Sequence, residues 1–272
     1  MSSLSEALSP FSSVVITGGS SGIGKSFIEL GAKLKPELVF CNLSRREPDI
    51  KILGKRLNHF KCDLAKSADV VRVVGEVEAF LRNEVPAGAV LLINNSGFGA
   101  YGRFPEPNLS HQLEMLDVNV RALVQLSGQL LPFLRERGGA IINVASTAAF
   151  QPTPFMATYG ASKAFVLHWS LALNEELRGT GVRTLAVCPG PTSTEFFHRA
   201  GLQKGSVADG LSMSCEEVVT ASLRALGAGR SQVVTGWKNK LSACAGSVVP
   251  KPLVARVAAK VLARYRLKQV QR

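Results

Sequence analysis

The stretch Ser13-Val14-Val15-Ile16-Thr17-Gly18-Gly19-Ser20-Ser21-Gly22-Ile23-Gly24-Lys25 decides the fold. Its first five residues form a short β-rich run without alternation, the pattern of a strand buried on both faces. A glycine-rich turn follows at once, and a helical stretch begins at Lys25. Glycines at this junction permit a tight turn and let the backbone approach a pyrophosphate, while the new helix offers unpaired N–H groups and positive potential. A simple tight strand–helix connection would use the same residues. At the head of an alternating pattern, however, the turn points to nucleotide binding through Gly18, Ser20, Ser21, Gly22, Ile23 and Gly24.

That alternation continues through the body. Further β-rich runs lie at Leu38–Leu43, Asn58–Lys61, Val90–Asn94, Ala140–Ala145, Val182–Cys188 and Gln232–Thr235. Helical periods separate them: Val70, Val74, Val77 and Leu81 share one face, and Leu113, Leu116, Val120, Leu123, Leu130 and Leu134 share another. The expected fold is α/β, a Rossmann-type doubly wound parallel sheet of about seven strands with helices on both faces. Residues 1–235 read as that domain and 236–272 as a basic C-terminal extension with an amphipathic helix. Ligands of such sheets gather beyond the carboxyl ends of the strands, where each unusual residue cluster of this chain falls.

The 272 residues carry a formal charge of +12, with 46% hydrophobic and 19% charged residues, the balance of a folded globule. Such a charge suits nucleic acid, an anionic membrane or an acidic ligand. Its distribution narrows the choice. Eleven of the 32 basic residues follow Glu216 and Glu217, the last acidic ones, which leaves 21 basic against 20 acidic residues elsewhere. The body is nearly neutral, and no nucleic-acid face is expected. Five scattered cysteines (Cys41, Cys62, Cys188, Cys215, Cys244) suggest reduced thiols and a cytoplasmic setting. There is no signal-peptide pattern and no run long enough to span a membrane. His59, His111, His168 and His198 lack ligand spacing, so no metal is expected.

Behind the second strand, NAD-binding sheets usually place an Asp or Glu for the ribose hydroxyls. Here the residues are Ser44-Arg45-Arg46, with no carboxylate. A small residue followed by a guanidinium fork suits a 2′-phosphate, so NADPH/NADP+ is expected over NADH. Behind the third strand, Asp63 and Leu64 fit either an adenine contact or an ordinary helix cap.

Three clusters define the other end: Asn119 within Asp117-Val118-Asn119-Val120, Ser146 behind Ile141-Ile142-Asn143-Val144-Ala145, and Tyr159-Gly160-Ala161-Ser162-Lys163. Tyr159 and Lys163 stand four residues apart and so share a helix face. Each cluster alone has a bland structural reading. Taken with the glycine turn, with Asn94-Asn95-Ser96-Gly97, and with Pro189-Gly190-Pro191-Thr192-Ser193-Thr194-Glu195-Phe196, they make the chain resemble the short-chain dehydrogenase/reductase family from about Ser12 to Thr235. Ser96 replaces a usual alanine, and Ala145 a frequent serine.

The resemblance implies a mechanism. Tyr159 donates a proton to the substrate oxygen as NADPH delivers hydride to the carbonyl carbon, and Ser146 stabilises the developing charge. Lys163 holds the nicotinamide ribose and, with the oxidised cofactor, lowers the Tyr159 pKa. Asn119 anchors a water that restores the proton. Asn95, Ser96 and Gly97 border the adenosine, and Pro189, Gly190, Thr192 and Thr194 the nicotinamide. It also implies a homodimer or homotetramer paired through the fourth and fifth helices.

The substrate is expected to be a small carbonyl or alcohol of apolar, ketoacyl, steroid-like or other lipid-like character. Phe98, Tyr101, Phe104, Phe150, Phe155 and Met156 are expected near the opening, under a lid starting at Phe196-Phe197-His198-Arg199-Ala200-Gly201-Leu202. From Lys251 the tail reads as a helix with Val254, Val257, Val261 and Tyr265 on one stripe and Arg256, Lys260, Arg264 and Lys268 on another. It suits an anionic membrane surface, an acidic carrier or acyl-CoA, or packing on its own domain with solvated charges. A scaffold or nucleotide-sensing protein of the same fold is the competing reading. Loss of Ser146, Tyr159 or Lys163 would have favoured it, and all three are present.

Overall fold

The computed structural model describes residues 4–50, 54, 56–194, 196, 200 and 212–266, except the side chains of 264–266. The chain runs α1 (Leu4–Leu8), β1 (Phe11–Thr17), α2 (Gly22–Leu34), β2 (Val39–Ser44), β3 (Leu57–Lys61), α3 (Ser67–Glu84) and β4 (Ala89–Asn94). It continues through α4 (Leu109–Leu116), α5 (Ala122–Arg137), β5 (Gly139–Val144), α6 (Ala157–Glu176), β6 (Val182–Cys188) and α7 (Cys215–Gly227). It ends with β7 (Gln232–Val234), α8 (Trp237–Val248) and α9 (Lys251–Arg266). The seven strands pair in parallel in the order β3-β2-β1-β4-β5-β6-β7. The order reverses between β1 and β4, which opens the crevice where ligands of such sheets bind.

The continuous apolar runs are explained by two cores. Val14 and Ile16 point to the layer under α1, α2 and α7, with Ile28, Val218 and Leu223. Val15, between them, points to the layer under α3 and α5, with Val70, Val77 and Leu126. Alternating side chains of one strand thus serve both layers. Each fully buried aliphatic side chain contributes about 1.5–3 kcal/mol.

Val70, Val74, Val77 and Leu81 are all buried, as the periodicity predicts. The second predicted stripe is broken. Leu123, Leu130 and Leu134 are buried, but Leu113 and Leu116 are exposed. A single π turn, Asp117–Arg121, separates α4 from α5. The extra residue in its turn resets the helical phase, so the leucines of α4 leave the face used by α5. Below the carboxyl ends of β4 and β5 lies a buried amide ladder. The Asn94 amide donates to Ser127 Oγ (2.9 Å) and Asn143 Oδ1 (2.8 Å), and that of Asn143 to Ser170 Oγ (2.9 Å). It fixes the strand ends on which the site stands.

Candidate functional site

One cleft of about 1070 Å³ runs beyond the carboxyl ends of the strands. Its β1 end is made of backbone. Gly18 (φ 72°) and Gly22 (φ 56°) occupy the left-handed region, and the Gly18 N–H donates to the Leu43 carbonyl (3.0 Å). Gly19 N–H donates to Asn42 Oδ1 (2.7 Å). A Cβ on Gly24 would lie 2.4 Å from the Gly18 carbonyl oxygen and 2.5 Å from Asn95 Nδ2. Ser21, ahead of α2, makes no side-chain cap, so the first N–H groups of α2 stay open toward the cleft lined by Ser20, Ser21, Gly22 and Ile23. A glycine cradle in front of an uncapped helix fits the diphosphate of a dinucleotide. Asn95 Nδ2 donates to the Thr17 (3.0 Å) and Gly18 (3.3 Å) carbonyls, and the Asn95 and Ser96 N–H groups share Thr17 Oγ1.

Ser44, Arg45 and Arg46 line the same end. Ser44 is buried. Its Oγ accepts from Asn42 Nδ2 (2.8 Å) and donates to the Arg46 carbonyl (2.6 Å), so its proton is committed to the loop. Arg45 is largely exposed and sits 3.7 Å from Glu114. Asp63 and Leu64 also border the cleft. Asp63 Oδ1 accepts from Ala65 N–H (3.2 Å), so Asp63 caps the turn before α3 and not α3 itself, which starts at Ser67.

At the other end Ser146, Tyr159 and Lys163 converge. Ser146 heads the short 3-10 turn Thr147–Phe150 and accepts from Ala148 N–H (3.1 Å). Burial pushes the Tyr159 phenol up to about 12, and its hydrogen bond with Ser146 acts in the opposite direction. Lys163 is not among the groups that shift it. Lys163 Nζ lies 5.9 Å from the Tyr159 ring centroid and donates to the Val144 carbonyl (2.8 Å). Burial in turn brings the Lys163 ammonium down to about 8, while the neighbouring Cys188 raises it.

Asn119 does not line the cleft. It is buried on the π turn, where its Oδ1 accepts from Phe98 N–H (3.1 Å) and its Nδ2 donates to the Phe98 carbonyl (3.0 Å) and Ser162 Oγ (3.1 Å). A Cβ on Gly97 would stand 3.0 Å from Asn119 Oδ1 and 3.2 Å from Lys163 Nζ, which places both beside that glycine. Pro189, Gly190, Thr192 and Thr194 complete the wall, and Thr192 Oγ1 donates to the Gly190 carbonyl (3.0 Å).

Of the expected aromatic wall, Phe98 and Met156 line the cleft, together with Phe196. Tyr101, Phe104, Phe150 and Phe155 do not. Phe104 is exposed on the surface, while the buried Tyr101 packs against Phe155 and donates its hydroxyl proton to the Leu262 carbonyl. Phe197–Arg199 and residues 201–211 of the expected lid, with the side chains of Arg264 and Tyr265 and with Lys268, lie outside the described residues.

Three features are not apparent in the sequence. Leu253, Val254, Val257, Ala258, Val261 and Leu262 of α9 line the cleft, whereas Arg256 and Lys260 are exposed. Apolar spacing marked α9 as amphipathic, without showing what its apolar side would meet. Asn239 of α8 packs on Gly190, where a Cβ would come within 2.2 Å of it, and donates to the Thr235 carbonyl (2.8 Å). Gly99 passes so close to Phe196, Met156 and Tyr159 that a Cβ would meet all three.

The family model described as short chain dehydrogenase matches residues 12–205. A short chain dehydrogenase from Pseudocercospora fijiensis is 35% identical over 197 residues, covering 67% of this chain and 60% of that protein. The ketoacyl reductase HetN from Nostoc sp. is 32% identical over 186 residues, 66% of this chain and 63% of HetN. The chain thus spans about three-fifths of the length of these two relatives. Among solved structures, a short-chain dehydrogenase from Sphingobium yanoikuyae in complex with NADPH superposes with a TM-score of 0.72 at 30% identity, covering 96% of each chain.

Proposed function

Because the chain belongs to the short-chain dehydrogenase/reductase family, we propose that it is an NADPH-dependent oxidoreductase that interconverts a carbonyl and an alcohol on an apolar, lipid-like substrate. One observation carries the reading: a glycine cradle before an uncapped helix shares a cleft with Ser146, Tyr159 and Lys163. A nicotinamide dinucleotide bound along that cleft supplies or accepts the hydride. The rest of the chemistry belongs to the chain. Tyr159, held as the neutral phenol by its burial, donates its proton to the substrate oxygen. Ser146 donates a hydrogen bond to the same oxygen and stabilises the charge developing there. Lys163 has three donors and spends one on Val144, which leaves donors for the ribose hydroxyls. With Asn119 beside it at Gly97, Lys163 guides a proton back to the tyrosinate.

Arg45 and Arg46 support a preference for the 2′-phosphate, as does the NADPH complex of the Sphingobium relative. Since Ser44 has its proton committed, the two guanidinium groups carry that preference. Phe98, Met156 and Phe196, which share the cleft with the aliphatic row of α9, support a ketoacyl, steroid-like or other lipid-like substrate. The exposed Leu109 and Leu113 of α4 and Phe165 of α6 support self-association through these helices. A panel of aliphatic, ketoacyl and steroid carbonyls, followed by NADPH absorbance, tests the reading. Oxidation of NADPH by none of them, and reduction of NADP+ by none of the matching alcohols, would refute it.

A further inference from the structure

The C-terminal helical pair carries apolar surface that the fold itself leaves uncovered. Along α8, Trp237, Leu241, Cys244 and Val248 recur at the spacing of a single helical stripe. The stripe faces solvent: Trp237 is 68% exposed, Leu241 63% and Val248 79%, and Cys244 is exposed with them. A different side of α8 is used for packing. Ala243 and Gly246 are buried there, and a Cβ on Gly246 would touch Gln151 and the Phe150 carbonyl. On α9, Leu253, Val257 and Val261 line the cleft yet stay about half-exposed, so they form its rim.

Cations edge both apolar rows. Lys238 and Lys240 beside the α8 stripe, and Arg256 and Lys260 beside the α9 row, are exposed. None of the four joins an ion pair among the described residues. Lys238 Nζ lies 5.6 Å from the Trp237 ring centroid. No Asp or Glu follows Glu217 to offset them.

We propose that α8 and α9 seat the protein on an anionic membrane surface, with the apolar rim of the cleft turned toward lipid. The arrangement matches an interfacial site in each part: an apolar stripe, a tryptophan at its head, and unpaired cations along its edges. An acidic carrier protein would match the cations but leave the long apolar stripe unused. A second copy of the chain, meeting this face with its own like face, would bring Lys238 and Lys240 against like charges. The contact is peripheral, since no helix among the described residues is long and apolar enough to cross a bilayer. It stands apart from the reductase reading, because it rests on surface residues and is measured by binding.

Cosedimentation of the full chain with phosphatidylcholine vesicles, with and without phosphatidylglycerol, tests the proposal. Binding is expected only with phosphatidylglycerol, weaker at raised salt. It should fall at least about tenfold in Leu241→Asp/Val248→Asp and in Lys238→Glu/Lys240→Glu. Both pairs are exposed, so melting temperature and NADPH affinity should hold. In a Trp169→Phe background, Trp237 emission should shift to the blue on phosphatidylglycerol vesicles. Absence of vesicle binding would overturn the proposal, as would equal binding by the Leu241→Asp/Val248→Asp chain. So would an oligomer in analytical sedimentation that this pair dissolves, or salt-sensitive capture by acyl carrier protein without vesicle binding.

Discussion

Beyond β1 the cleft is walled by backbone, and beyond β5 and β6 by side chains. At the β1 end Gly18 and Gly22 hold conformations that other residues adopt at a cost, and Gly24 has a carbonyl where its Cβ would stand. At the other end Ser146, Tyr159, Lys163 and Phe196 project from loops and a helix, and α9 closes the wall with aliphatic side chains. A backbone wall binds what all dinucleotides share, their diphosphate, and tolerates little change. A side-chain wall can be rebuilt around a new substrate, provided the proton donor stays in place.

The deepest break in the comparison removes the proposed proton donor and leaves the backbone wall intact. Tyr159→Phe should lower NADPH-linked turnover by about 10²–10⁴-fold. NADPH affinity, read by fluorescence titration, should be nearly unchanged, because the change removes one oxygen and leaves the glycine cradle as it is. Loss of both together would mean that the two ends do not work separately. A smaller break strikes the other wall. Gly24→Ala places a methyl group against the Gly18 carbonyl and the Asn95 amide, neither of which can swing aside as a free side chain would. Overpacking of this kind costs about 1–3 kcal/mol. NADPH affinity should therefore fall roughly tenfold or more, with a lower melting temperature, while Ser146, Tyr159 and Lys163 remain in place.

These two ends were not equally legible in the sequence. Glycines, Ser146, Tyr159 and Lys163 could be read because each is bound to a strand end or to a fixed helical spacing, and such local rules survive folding. Asn119 could be named, but its π turn could not: the stripe from Leu113 to Leu134 scans as one helix unless an extra residue is inserted. The role of α9 depends on contacts across long sequence separations, such as Tyr101 with Leu262, which no local period encodes. Phe104 and Tyr101 illustrate the same limit. Both are aromatic residues after β4, yet one is on the surface and the other buried.

Coenzyme choice sharpens the comparison at the edge of the backbone wall, where Arg45 and Arg46 are side chains at an otherwise main-chain site. Ser44→Asp combined with Arg45→Gln should shift the ratio of NADPH to NADH affinity toward NADH by roughly tenfold, the scale of one lost charge-assisted hydrogen bond. The Arg45→Gln change alone should produce most of the shift, because the Ser44 proton already serves the Arg46 carbonyl. An unchanged ratio in both variants would remove the 2′-phosphate from the site.

The smallest expected effect is the pH dependence of stability that Lys163 brings to the side-chain end. Lys163 titrates near 8 in the folded chain because its ammonium is buried, against 10.5 for an ordinary lysine. Between those values the unfolded chain binds more protons, so folding stability rises with pH through this window. Below pH 8 both states are charged, and the buried ammonium is a standing cost. Tyr159 works in the opposite direction: its phenol titrates near 12 when folded and 10 when exposed, so the stability it contributes is lost as pH rises from 10 to 12. The buried thiols of Cys41, Cys62 and Cys188, each pushed from 9 to about 12, pull the same way as Tyr159 but from pH 9. The rise due to Lys163 should therefore stand clear only at about pH 8–9 and amount to roughly 1 kcal/mol. Denaturant melts of the chain without cofactor should show it, and Lys163→Met should remove it, since the general charge titration is common to both proteins. A Gly24→Ala chain should keep the slope, because the added methyl would meet the Gly18 backbone and the Asn95 amide, none of which titrates. A slope that survives Lys163→Met would place its origin elsewhere than the buried ammonium.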